Sequence, residues 1–154
     1  LPGKNLYLIG TGTGLAPFMS VIQDPETYER FEKVVLLHGV RYVSELAYSE
    51  FIEQALPGNE FFGEEVANKL VYYPTVTREE FRNQGRVTDL ITTGKFFADT
   101  GLPPLDPARD RAMICGSPAM LDDTCKMLDA RGFKISPHIG APGDYVIERA
   151  FVEK

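Results

Sequence analysis

The feature that most constrains the fold is a regular alternation of short apolar segments with segments of helical pattern. Continuous apolar runs, such as the one within Lys33–His38, predict strands that are buried on both faces. The predicted strands are Asn5–Ile9, Lys33–His38, Leu70–Val76, Arg111–Cys115 and Asp144–Val152. The helices predicted between them are Leu15–Ile22, Ser44–Leu56, Arg86–Phe97 and a helix that follows Ser117 and ends at Gly132. The alternation predicts an α/β fold, a Rossmann-like parallel sheet flanked by helices.

Length and charge narrow the function classes. The 154 residues suit one domain, and the net charge of −6 argues against a nucleic-acid partner, which needs a basic surface. No apolar run reaches the roughly 20 residues of a membrane span. The start, Leu1–Lys4, lacks an initiator Met and a signal-peptide pattern, so we expect a part of a longer protein.

The cysteines and histidines are too few for a disulfide framework or a metal cluster. Cys115 and Cys125 lie ten residues apart, and His38 and His138 are widely separated. We therefore predict reduced thiols, a cytoplasmic protein and no metal site. His38 is expected to be a packed or hydrogen-bonded strand residue.

The first predicted strand runs into a glycine-rich loop, Gly10–Gly14. Its three glycines let backbone N–H groups approach a pyrophosphate, and a helix is predicted to follow directly. The loop is not the usual Gly-x-Gly-x-x-Gly fingerprint, because Leu15 stands at the third glycine position, and it is not a Walker loop. The alternative is a tight turn that binds nothing.

Arginines follow the next two predicted strands. Arg41 stands where NAD-binding sheets place an acidic residue, and an arginine there suits a 2′-phosphate. Arg78 and Arg86 lie in the loop after the third strand. Three guanidinium groups at one sheet edge could close on a single phosphate. The alternative is that these are ordinary surface arginines.

The fourth predicted strand ends in the segment Cys115–Met120. A small thiol followed by Gly116 is expected to leave space for a flat ring, although core packing would also explain a cysteine there. We find no nucleophile elbow. Hydride transfer needs no side-chain nucleophile, so a sparse catalytic inventory is consistent with redox chemistry.

Together these segments resemble the ferredoxin–NADP reductase family, in its bacterial branch. The resemblance is carried, in order along nearly the whole chain, by residues 10–18, 38–41, 76–79, 85–87, 113–118 and 150–154. It implies that residues 1–154 form an NADP(H)-binding domain, and that the family's N-terminal FAD-binding barrel is absent from this chain.

The resemblance also implies roles for individual residues. Cofactor binding is expected of Gly10, Thr11, Gly12, Thr13, Gly14, Arg41, Arg78, Arg86, Gly116 and Met120. Of these, the three arginines match the family's 2′-phosphate ligands. Cys115 is expected beside the point where nicotinamide meets flavin, and the tail residues Ala150 and Phe151 are expected to face FAD.

The function so implied is hydride transfer between NADPH and FAD, with one-electron exchange with ferredoxin or flavodoxin. The isolated domain is expected to be inactive without its FAD domain. Two alternatives stay open: the reductase component of an oxygenase, and a non-enzymatic module that binds NADPH.

Overall fold

The computed structural model describes residues 4–46, 49–61, 63–81, 83–136 and 143–147. Within them, five strands form one sheet in the order β3-β2-β1-β4-β5, and every neighbouring pair is parallel. The strands are β1 (Asn5–Thr11), β2 (Lys33–Val40), β3 (Leu70–Val76), β4 (Asp110–Cys115) and β5 (Tyr145–Ile147). The predicted fold, a Rossmann-like parallel sheet flanked by helices, is confirmed.

Six α-helices flank the sheet in the described part of the chain. They are α1 (Ala16–Ile22), α2 (Pro25–Arg30), α3 (Gly63–Lys69), α4 (Val87–Thr93), α5 (Lys95–Thr100) and α6 (Pro118–Ala130). As predicted, Ser117 caps α6, its hydroxyl accepting a hydrogen bond from the Met120 N–H, and Pro118 occupies the first turn. Among the described residues, no helix combines the length and apolar character needed to cross a bilayer.

Side-chain alternation along the strands divides the core between the two faces of the sheet. On one face, Val34 and Leu36 of β2 join the buried side chains of α1, α2 and α3. On the other, Val35 and Leu37 join those of α4, α5 and α6. Burial on both faces explains why the β2 sequence is continuously apolar.

Two helix predictions need correction. The segment predicted as one helix from Ser44 to Leu56 contains a 3-10 turn at Val43–Glu45, then a π-helical turn at Phe51–Ala55 and a 3-10 turn that ends at Gly58. The predicted helix Arg86–Phe97 is two helices, because Gly94 adopts a left-handed φ of +85° between α4 and α5. Helices α2 and α3 were not predicted.

The start of α3 is closely packed against the preceding turn. A Cβ added to Gly63 would lie 2.3 Å from the Pro57 carbonyl oxygen, and that backbone atom cannot move cheaply. We expect Gly63→Ala to lower the free energy of unfolding by about 1–3 kcal/mol. Gly58→Ala is the matched control, because a Cβ there meets nothing within 4 Å. Urea unfolding of both variants checks this, and equal midpoints would contradict it.

Candidate nucleotide-binding edge of the sheet

The glycine-rich loop lies at the carboxyl end of the central strand. Strand β1 continues through Gly10 and Thr11, two residues further than predicted. A 3-10 turn, Gly12–Leu15, then leads directly into α1. Gly12 has a φ of +54°, a left-handed conformation that glycine adopts without a steric penalty. The sequence therefore places the three glycines at the edge where open parallel sheets bind ligands.

A histidine side chain on the neighbouring strand β2 forms a hydrogen bond with this loop. His38 is 1% exposed, and its Nε2 lies 2.8 Å from the Gly12 carbonyl oxygen. A carbonyl only accepts, so Nε2 must carry the proton and donate it. His38 Nδ1 is buried and has no hydrogen-bond partner among the described residues. The predicted hydrogen-bonded strand residue is confirmed, and its partner is the glycine loop.

Cys115 ends β4 on the same face of the sheet as His38. Both residues are paired with Gly10 in the register of the sheet, one from each neighbouring strand. The Cys115 thiol is 2% exposed and belongs to the core cluster beside α1. Its proposed contact with a nicotinamide is not tested by this arrangement and stays a prediction.

The position that a Cβ of Gly116 would take is already filled by neighbouring side chains, and the expected room for a flat ring beside this glycine stays a prediction. A Cβ at Gly116 would lie 2.5 Å from Thr11 Oγ1 and 2.7 Å from Met120 Sδ. The absence of a side chain at Gly116 lets the side chains of Thr11, at the end of β1, and Met120, in the first turn of α6, approach its backbone closely. Thr11, Gly116 and Met120, three predicted site residues, are thus brought together.

The backbone brings Arg41 and Arg78 to one corner of the same edge. Beyond the ends of β2 and β3, the Thr77 N–H donates to the Val40 carbonyl at 3.0 Å, and the Arg78 N–H donates to the Arg41 carbonyl at 2.9 Å. The two arginines are therefore neighbours across adjacent strands, and both are exposed.

Arg86 reaches this corner because the loop after β3 folds back on the strand. The Gly85 N–H donates to the Val76 carbonyl at 3.0 Å, and Thr75 Oγ1 donates to the Gly85 carbonyl at 2.8 Å. Gly85 has a φ of +132°, and Arg86 follows it as the exposed residue before α4. We use the name arginine corner for Arg41, Arg78 and Arg86.

Two glutamates that were not predicted as site residues form hydrogen bonds at the arginine corner and beside it. Glu45 Oε1 accepts hydrogen bonds from the Arg41 and Tyr42 N–H groups, each at 3.0 Å, and Oε2 lies 3.5 Å from the Arg41 guanidinium. These backbone donors hold the pKa of Glu45 below its usual range. Glu79, in the loop after β3, accepts a hydrogen bond from the Val43 N–H. The spacing of four between Arg41 and Glu45 was the available signal.

The guanidinium groups of Arg78 and Arg86 differ from that of Arg41. In the part of the chain that the structure describes, neither forms an ion pair, whereas Arg41 pairs with Glu45. Among all the residues that the structure describes, no group of His, Cys, Asp and Glu side chains could hold a metal. Ala150 and Phe151 lie outside the described residues, as do positions 148–152 of the predicted last strand.

The burial of His38 predicts that the free energy of unfolding depends on pH. Burial lowers the pKa of its imidazole, and the bond to Gly12 opposes this only in part. The unfolded chain takes up this proton near pH about 6.5, whereas the folded chain does so only at lower pH. Between those values the unfolded state binds more protons, so the free energy of unfolding falls as pH falls, by up to about 1.4 kcal/mol per unit.

Urea unfolding between pH about 7.5 and 5.5 measures this slope. We expect His38→Gln to reduce it and His138→Gln, which removes the other histidine of the sequence, to retain it. An unchanged slope in His38→Gln would contradict the assignment.

The comparisons with known proteins agree with this geometry. The family model described as oxidoreductase NAD-binding domain matches residues 8–126. The whole chain is 70% identical to a ferredoxin–NADP reductase of Azotobacter vinelandii and 69% identical to one of Pseudomonas aeruginosa. It spans 60% of the length of each of these relatives.

Solved structures give the same result. A ferredoxin–NADP+ reductase from Neisseria gonorrhoeae, solved with bound FAD and NADP, superimposes with a TM-score of 0.80 at 29% identity. The alignment covers 95% of this chain and 56% of that one. The resemblance inferred from the sequence motifs is thereby confirmed, and by sequence and fold the chain belongs to the oxidoreductase NAD-binding domain family.

Proposed function

We propose that this chain is the NADP(H)-binding domain of a ferredoxin/flavodoxin–NADP reductase. The observation that carries the proposal is the arginine corner. Backbone hydrogen bonds between the segments that follow β2 and β3 bring Arg41, Arg78 and Arg86 to one end of the sheet. A 2′-phosphate is the part of NADP(H) that NAD(H) lacks, and guanidinium groups offer it paired donors.

The residues present fit a dinucleotide laid along the sheet edge. The arginine corner lies beyond β2 and β3, and the glycine loop lies beyond the central β1. A ligand that spans them would hold its 2′-phosphate at the arginines and its pyrophosphate at Gly10, Thr11, Gly12, Thr13 and Gly14. Its nicotinamide would then lie towards β4, where Cys115, Gly116 and Met120 are found.

In the complete enzyme, FAD supplies the redox chemistry by accepting or returning a hydride and exchanging single electrons. This chain's part is to bind and orient NADP(H) so that the nicotinamide can meet the flavin. We assign Ala150 and Phe151 to the flavin side of that contact and Cys115 to the nicotinamide side. A barrel domain that binds FAD is the required partner within the protein, and ferredoxin or flavodoxin is the external partner.

Reducing surroundings suit this assignment. In the described structure Cys115 and Cys125 are thiols rather than disulfide partners, which is typical of the cytoplasm. We therefore propose a cytoplasmic location.

The test is calorimetric titration of the chain with 2′-phospho-AMP and with AMP. One charge-assisted contact contributes about 1.5–3 kcal/mol, so we expect 2′-phospho-AMP to bind at least about tenfold more tightly. Equal affinities would overturn the NADP(H) assignment and favour NAD(H). If circular dichroism shows a folded chain that binds neither nucleotide, the proposal fails.

A further inference from the structure

The glycine loop is held by one side chain that is not part of it. His38 Nε2 donates to the Gly12 carbonyl at 2.8 Å, and the imidazole is 1% exposed. Since His38 is paired with Gly10 in the sheet, its ring reaches a residue two positions after Gly10, just beyond the end of β1. The bond therefore connects the rigid sheet to the first residue of the 3-10 turn.

Core packing alone does not account for a histidine here. The neighbouring β2 positions on the same face, Val34 and Leu36, are aliphatic and fully buried. An imidazole in this place leaves Nδ1 buried without a partner in the described structure, which costs free energy that an aliphatic side chain would not. The polar ring is explained by the bond that its other nitrogen makes to the loop.

Gly12 is the residue at which this bond has most effect. It adopts a φ of +54°, and a Cβ there would meet nothing within 4 Å. Among the described residues, none lies within 4 Å of that Cβ position, and the hydrogen-bonded carbonyl limits the rotation of the adjoining peptide unit. The orientation of that peptide determines where the following N–H group points.

We propose that His38 is the positioning residue of the glycine loop, holding its N–H groups in the orientation that binds a pyrophosphate. It does so through Gly12 and does not touch the ligand. The inference rests on the proposed function, because it assumes that the loop receives the pyrophosphate of NADP(H). It separates two contributions to binding. His38 affects affinity for the pyrophosphate and does not affect affinity for the 2′-phosphate at the arginine corner.

The test compares two probes that share the adenosine, its 2′-phosphate and its 5′-phosphate. 2′-Phospho-AMP ends at that first phosphate, whereas 2′-phospho-ADP-ribose adds the second phosphate, which completes the pyrophosphate, and the second ribose. We expect His38→Leu to weaken 2′-phospho-ADP-ribose at least tenfold while 2′-phospho-AMP changes less than about twofold. His38→Gln, whose amide can still donate to Gly12, should retain most of the affinity.

Controls separate this from a merely structural effect. Leu36→Val removes a buried methylene from the same face of β2 without touching Gly12 and should leave the ratio of the two affinities unchanged. Equal weakening of both probes by His38→Leu, or the same change of ratio in Leu36→Val, would overturn the proposal. Should His38→Leu fail to fold, His38→Asn replaces it, because its shorter amide cannot reach Gly12. The proposal then requires Asn to lose affinity and Gln to keep it.

The result distinguishes two failures. A wild-type chain that does not prefer 2′-phospho-AMP over AMP refutes the proposed function itself. A chain with that preference that gains no affinity from the pyrophosphate refutes the glycine-loop inference only.

Discussion

Replacing Arg78 by alanine is expected to abolish most of the preference for a 2′-phosphate. Arg78 is exposed, and among the described residues no acid pairs with it, whereas Arg41 is already paired with Glu45. Loss of one charge-assisted contact, worth about 1.5–3 kcal/mol, should weaken 2′-phospho-AMP by roughly 10- to 150-fold. AMP, which lacks the 2′-phosphate, should bind as before.

Arg78→Ala is expected to remove the guanidinium group without changing the backbone of the loop. Its backbone N–H holds the loop by donating to the Arg41 carbonyl, and alanine keeps that N–H. Arg30→Ala is the matched control, because Arg30 is an exposed arginine at the end of α2, which precedes β2 and so lies towards the opposite edge of the sheet. Arg78→Lys should give an intermediate affinity, since it keeps the charge and loses the paired donors. Equal losses for AMP and 2′-phospho-AMP would contradict a contact to the 2′-phosphate.

The second large effect is expected in the core on the face of the sheet that α4, α5 and α6 cover. Phe96 is fully buried, and its ring makes edge-on contacts with Tyr7, Tyr73 and Phe97 at centroid distances of 6.1, 5.0 and 5.2 Å. Truncating a buried phenylalanine costs about 3–5 kcal/mol through lost burial and the cavity left behind. Since a domain of this size is stable by about 5–15 kcal/mol, Phe96→Ala should remove a large share of the stability.

Urea unfolding measures this loss as a lower midpoint. Phe61→Ala is the matched control, because Phe61 is 86% exposed and its truncation should change the free energy of unfolding by less than about 0.5 kcal/mol. Phe96→Leu keeps most of the volume and should lie between the two, which preserves the comparison if the alanine variant does not fold. Similar midpoints for the two alanine variants would show that Phe96 is not the centre of this core.

Features that depend on neighbours in the chain were predictable from the sequence. The apolar run of β2 identified a doubly covered strand because each of its side chains is buried whichever face it points to. Ser117 and Pro118 identified the start of α6 because capping is a contact between residues three apart. The three arginines could be assigned to one edge because parallel strands end on the same side of a sheet.

Features that depend on distant residues were not predictable. The helix expected at Arg86–Phe97 divides at Gly94, where a left-handed turn competes with helical periodicity, and α2 and α3 are only six and seven residues long. Such short helices have little periodic signal and are stabilised by what they pack against. The loop that returns Arg86 to Val76 depends on hydrogen bonds that the local pattern does not encode.

By itself, the sequence determined the alternation of strands and helices, the glycine loop and the presence of arginines at the sheet edge, because these follow from local composition and period. Only the tertiary structure decided that the side chains of Thr11 and Met120 lie where a Cβ of Gly116 would stand, and that His38 Nε2 donates to the Gly12 carbonyl. Both arrangements depend on which strands are neighbours, and the order of the strands is set by packing across the whole sheet.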